Sequence, residues 1–129
     1  MTRQVIQPST IVDPRPRYSQ GIVTNGGRLL FIAGQTSVDA RGAVVGKGDI
    51  ERQSVQVFEN LRAVLEAAGG TFANLVMTTA YLTDIAQRPV FSEVRARYYG
   101  AEVPASTLVV VESLANPDLL VEVDAIAVL

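Results

Sequence analysis

Cysteine and histidine are absent from the 129 residues, and lysine occurs once, at Lys47. Without cysteine there is no disulfide and no thiolate nucleophile. Without histidine there is no imidazole base, and the two absences together exclude a Cys/His metal site. Lys47 lies between glycines in "VGKGD", which fits a loop lysine better than a buried Schiff-base amine. The surrounding "GAVVGKGD" also fails as a phosphate loop, because its glycine spacing is wrong and no Ser or Thr follows the lysine. Acid–base chemistry is therefore left to carboxylates, tyrosines, arginines, hydroxyls, backbone groups or bound water, and neither a metal nor a cofactor is expected.

Other shortages bound the molecule as a whole. No apolar run approaches the roughly 20 residues of a membrane helix. The N-terminal "MTRQVIQPST" has no apolar signal core, so a cytoplasmic protein is expected. A net charge of -2 gives no electrostatic grip on nucleic acid or an anionic membrane. What remains is 48% hydrophobic and 19% charged, the composition of a globular protein, with a length that suits one domain over 1–129.

Several stretches have a readable period. The region up to Pro16 contains three prolines and is expected to wrap irregularly or add an edge strand. "YSQGIVTNGGRLLFIAGQ" reads as a hairpin, with apolar strands flanking Asn25-Gly26-Gly27. "TSVDARGAVVGKG" is loop-like. From Asp49 to Ala68 the apolar positions Ile50, Val57, Phe58, Leu61, Val64, Leu65 and Ala68 form one helical stripe, with Asp49 as N-cap and Gly69-Gly70 as the stop. "LVMTTAYLTD" alternates as a strand, and "QRPVFSEVRARYYG" forms a second helix with Pro89 in its first turn and Phe91, Val94 and Tyr98 inward. "STLVVVESL" and "LLVEVDAIAVL" are two further strands joined by "ANPD". This order predicts a two-layer α+β domain, a mixed sheet with both helices on one face. Val109, Val111, Val121 and Val123 make a solvated opposite face implausible, so a closed homo-oligomer is expected to cover it.

Three side chains attract attention in this frame. Glu122 stands between Val121 and Val123 and shares a strand face with Leu120, Asp124 and Ile126. It is either a desolvated general acid or base, or a solvated or ion-paired strand carboxylate. Tyr18 in "PRPRYSQG" either orients a small substrate or caps a pocket, or packs against the hairpin. Arg95 lies about 40° from Phe91 on the helical wheel. From there its guanidinium either clamps a carboxylate at a pocket mouth or snorkels to solvent.

"PRYSQG" (16–21), "LLFIAGQTSVDARG" (29–42), "QSVQVFENLRAVLEAAGG" (53–70), "TTAYLTD" (78–84), "RYYG" (97–100), "VPAST" (103–107) and "LVEVDAIAV" (120–128) follow one another in the order and spacing of the RidA/YjgF (L-PSP, reactive-intermediate deaminase) family. The chain resembles that family from Pro16 onward. The resemblance implies a chorismate-mutase-like α+β fold, assembled as a homotrimer with clefts between subunits. It also implies hydrolysis of enamine or imine metabolites to ammonia and a 2-keto acid.

Carried over position by position, Glu122 matches the glutamate that handles water or the proton, and Tyr18 the tyrosine that lines the pocket. Gly34 and Gln35 match a Gly-Gln pair. Ala33 replaces a serine, Ser106 replaces the arginine that takes the substrate carboxylate, and Leu108, after Thr107, replaces a frequent cysteine. Arg95 aligns with a common asparagine, and Pro16-Arg17 with a Gly-Pro pair. The site implied is catalytic Glu122 with substrate contacts from Tyr18, Ala33, Gly34, Arg95, Ser106 and Thr107. Because Ser106 donates only a neutral hydrogen bond, a substrate other than the usual small 2-imino acids is expected. A non-catalytic ligand-binding trimer is the alternative. Endoribonuclease activity, a label attached to the family, finds no imidazole and no basic patch beyond Arg15 and Arg17 here.

Overall fold

The computed structural model describes residues 2–129. Its elements are β1 (Thr2–Ile6), β2 (Gly21–Asn25), β3 (Leu29–Thr36), α1 (Ile50–Ala67), β4 (Leu75–Leu82), α2 (Arg88–Tyr98), β5 (Ala105–Val110) and β6 (Val121–Val128). A four-stranded sheet runs β3-β6-β4-β5, antiparallel except for the parallel β4–β5 pair. Both helices lie on one face, so the expected two-layer α+β arrangement is the one observed.

Period-two alternation assigns the faces. Val121, Val123, Ala125 and Ala127 of β6 point at the helices and are buried, as are Ala80 and Leu82 of β4. From α1, Val57, Phe58, Leu61 and Leu65 close the core, and Phe91 and Val94 of α2 complete it. Phe58 is the centre, with ring centroids 5.8 Å from Phe91 and 5.2 Å from Tyr98. Asp49 caps α1 as expected, its carboxylate accepting from the Arg52 N–H at 3.0 Å.

Gln53 is a polar member of the buried stripe that apolar periodicity passes over. Its amide donates to the carbonyls of Gly46 and Asp118 and accepts from the Leu120 N–H, tying two loops to the helix. A buried amide with three partners satisfies the polar groups of both loops at once.

Two expectations need correction. The strands flanking Asn25-Gly26-Gly27 do not form a hairpin with each other. β2 pairs with β1 in a separate two-stranded ribbon, whereas β3 pairs with β6. The ribbon is anchored elsewhere by Arg3, whose guanidinium donates to the carbonyls of Ala73, Leu75 and Val103. Second, Val121 and Val123 belong to the helix-side core. The apolar groups on the open sheet face are instead Phe31 (70% exposed, opposite Ile126), Leu29 (63%) and Val109 (40%).

Candidate functional site

The segment before β2 is held against the start of β5. The Ser19 N–H donates to the Pro104 carbonyl at 2.9 Å, and the Ser19 hydroxyl to the Val103 carbonyl at 2.6 Å. A turn closed by the Arg17 N–H on the Pro14 carbonyl precedes it. These bonds bring Arg17 and Tyr18 over the edge of the sheet, where β5 meets α2.

A cavity of about 240 Å³ opens there. Its polar lining is Arg17, Tyr18, Arg88, Arg95 and Ser106, and Leu108 and Val110 of β5 form an apolar floor. The volume is just below the roughly 300–1,000 Å³ of ordinary ligand pockets, which suits a small metabolite.

Arg95 does not snorkel. It is only 7% exposed, and its guanidinium lies over the Phe91 ring at 5.4 Å from the centroid. A flat cation on an aromatic face is a favourable arrangement that also fixes the direction of the side chain. Among the described residues the ion pairs of arginine and lysine engage Arg3, Arg15, Lys47, Arg62 and Arg97. Arg95 takes part in none of them. Burial, then the positive charges of Arg88 and Arg17, lower its pKa from the usual arginine value. Arg88 escaped the sequence reading, yet it stands seven residues before Arg95 and so on nearly the same helix face.

Ser106 faces the same cavity from β5. The buried Thr78 hydroxyl donates to Ser106 Oγ at 3.1 Å, which leaves the serine proton available to the cavity.

The remaining predicted residues lie on the other side of the sheet. Glu122 is paired in register with Tyr81 and Thr36, and it points away from the helices. Ala33 and Gly34 sit at the irregularity between Ile32 and Gln35 in the β3–β6 pairing. A Cβ on Gly34 would overlap Glu122 Oε2, so the carboxylate rests directly on glycine backbone. Desolvation, then the charge of Asp124, raise the Glu122 pKa above the ordinary glutamate value. Asp124 in turn accepts from the Tyr81 hydroxyl at 2.9 Å, a contact not anticipated from the sequence. Thr107, opposite Thr79, is exposed on the same face.

The predicted residues therefore form two half-sites. Tyr18, Arg95 and Ser106 share the cationic cavity on the helix side. Ala33, Gly34, Thr107 and Glu122 lie on the open face, and one chain does not bring the halves together. Among the described residues no group of three His, Cys, Asp or Glu side chains could hold a metal ion. No helix among them is long and apolar enough to cross a membrane.

Fold and site together define a small two-layer α+β protein with a cationic cleft at a sheet edge and a desolvated carboxylate on its open face. Residues 9–129 match the model of the family described as Endoribonuclease L-PSP. A RutC family protein of Pyrococcus horikoshii is 40% identical over 125 residues, 97% of each chain. Protein DfrA of Myxococcus xanthus is 35% identical over 128 residues, 99% of this chain and 97% of that one. Among solved structures, the Rid-family protein YyfB of Yersinia pestis superposes with a TM-score of 0.90 at 37% identity, covering 100% of both chains. RidA from the Antarctic bacterium Psychrobacter sp. superposes at 0.74 with 31% identity, over 98% and 99% of the two chains. The chain belongs to the L-PSP family, the RidA/YjgF proteins, as its motifs suggested.

Proposed function

We propose that this protein is a Rid-type hydrolase that deaminates a reactive enamine or imine metabolite in clefts between the subunits of a cytoplasmic homotrimer. The observation that carries this reading is Arg95, a buried guanidinium without an ion-pair partner among the described residues, lining a metabolite-sized cavity beside Tyr18 and Ser106. It supplies from α2 the positive charge that Ser106 does not supply from β5. A carboxylate-bearing ligand would find a charge-assisted partner there, worth roughly 1.5–3 kcal/mol per strong bond.

In the assembled cleft, Glu122 of a neighbouring subunit faces the ligand. Its carboxylate takes a proton from water as the oxygen adds to the imine carbon, giving a carbinolamine. The same proton then returns to nitrogen, the carboxylate takes up the carbinolamine hydroxyl proton as the C–N bond breaks, and a carbonyl compound and ammonia leave. The raised pKa of Glu122 suits a group that must both accept and return a proton. An enamine enters the sequence after protonation at carbon.

The test is ammonia release from enamines and imines generated in situ. The parent protein is expected to accelerate release, and Glu122→Gln to abolish that acceleration. No acceleration across a panel of acidic and neutral substrates would remove the hydrolase reading. A second reading, binding without turnover, draws on the neutral Ser106 at the family's arginine position. It predicts ligand-induced thermal stabilisation by substrates that are never consumed.

A further inference from the structure

The cationic half-site holds more charge than one carboxylate requires. Arg17, Arg88 and Arg95 line the same cavity, and among the described residues of one chain no Asp or Glu lines it with them. None of the three takes part in an ion pair among the described residues. Arg95 is more than nine-tenths buried and bounds the cavity, with an apolar floor beneath it. In that setting a positive charge is poorly compensated by solvent, and interactions with an anion are strengthened.

Their spacing matters as much as their number. Arg88 and Arg95 lie two turns apart on one helix face, about 10 Å along the axis. Arg17 approaches independently, from the turn held by Ser19 on β5. A single carboxylate fills one guanidinium fork and leaves the other positive charges facing one another.

We infer that the cleft is built for a small ligand carrying two anionic groups, a dicarboxylate or a phosphorylated acid, one group held at Arg95, Arg17 and Ser106 and the other towards Arg88. This rests on the reading of the cleft as the ligand site and adds its substrate class. Ser106 has a direct part, because an arginine there would take up cavity volume where the serine leaves room for the ligand and donates one neutral bond. The mutual repulsion among the arginines, which contributes to the lowered pKa of Arg95, is relieved when such a ligand binds.

Calorimetric titration of the full chain with stable anions tests this without turnover. The probes are propionate, succinate and phosphoglycolate, supplemented by a short single-stranded oligoribonucleotide. Succinate or phosphoglycolate is expected to bind roughly tenfold or more tighter than propionate, and which of the two is tighter distinguishes the carboxylate from the phosphoryl source. Arg88→Gln, at an exposed helix position, is expected to remove most of that preference by weakening the two dianions far more than propionate. Arg95→Gln is expected to weaken all three. Equal binding of the mono- and dianions, or a preference untouched by Arg88→Gln, would overturn the inference. So would tighter, steeply salt-dependent binding of the oligoribonucleotide lost in the same variants, which would make the arginines a backbone-phosphate site. Failure of ammonia release with the dianion preference intact would remove the hydrolase reading alone.

Discussion

Glu122 shows how one strand position comes to hold a desolvated carboxylate. Its neighbours Val121 and Val123 face the core, so alternation turns the carboxylate to the open face, against Gly34 and beside Asp124. Both the desolvation and the adjacent negative charge favour the protonated form. The raised pKa has a stability consequence of definite sign. The folded state binds this proton more tightly than the unfolded chain does. That contribution is complete below the unfolded glutamate pKa and is lost as pH rises through the folded value. Glu122→Gln, which cannot ionise, is therefore expected to melt above the parent at neutral pH. The difference should shrink to nothing as pH falls through the ordinary carboxylate range. Thermal melts across that interval check it, and equal melting temperatures at neutral pH would mean that the carboxylate is not desolvated. Glu122 was legible in the sequence because a charged residue interrupting an alternating apolar strand is conspicuous. Arg95 was legible only as two alternatives, since a wheel position 40° from Phe91 fits either packing or solvent. The Phe91 ring decides between them: the i,i+4 spacing permits that contact, and only the packing around the helix selects it. Arg88 had no apolar context to mark it, and its seven-residue spacing from Arg95 gains meaning only once the cavity is seen.

Among the elements, α1, β4, α2, β5 and β6 fall where period and punctuation put them, because each carries a strong local signal: a capped apolar stripe, an alternation, or Pro89 at a helix start. The N-terminal strands were different. Asn25-Gly26-Gly27 does turn the chain, with Gly26 and Gly27 at φ 75° and 87°. A turn signal nevertheless says nothing about partners, and the partner of β2 is set by Arg3 and Ser19, which tie the ribbon region to carbonyls far along the chain. The irregularity in β3 was equally invisible, since Ala33-Gly34 reads as ordinary strand. It brings the Gly34 backbone under the Glu122 carboxylate, where no side chain fits. Gly34→Ala is accordingly expected to displace the carboxylate and lower kcat on the order of 100-fold, a typical penalty for a misplaced catalytic group. Because the atom a Cβ would meet is the end of the flexible Glu122 side chain, stability should change by no more than about 1 kcal/mol, and anion binding in the arginine cleft should be unaffected. Steady-state kinetics set beside chemical denaturation separates the two effects. Unchanged turnover would show that Glu122 adjusts freely or plays no part.

For the whole molecule, the decisive fact is the sheet that separates the half-sites. Arg95 and Ser106 lie on its helix side and Glu122 on its open side, so no rotamer change within one chain unites them. The open face also exposes Phe31, Leu29 and Val109 around the strand that carries Glu122. Covering that face with another copy would bury apolar surface and set a foreign Glu122 opposite a cationic cleft. Assembly and catalysis would then be one event, and a mixed assembly exposes this. Arg95→Gln and Glu122→Gln homo-oligomers are each expected to be inactive. After subunit exchange at equal ratio, a cleft is intact when its cationic side comes from the Glu122→Gln chain and its carboxylate from the Arg95→Gln chain. For a closed ring with random exchange, about a quarter of the clefts meet that condition, so about a quarter of the parent activity should return. Recovery on mixing requires a site shared between subunits, because a site within one chain would always contain one of the two lesions. No recovery despite demonstrated exchange would put the carboxylate and the arginines in separate sites, and ammonia release would then have to be assigned to groups on one side of the sheet.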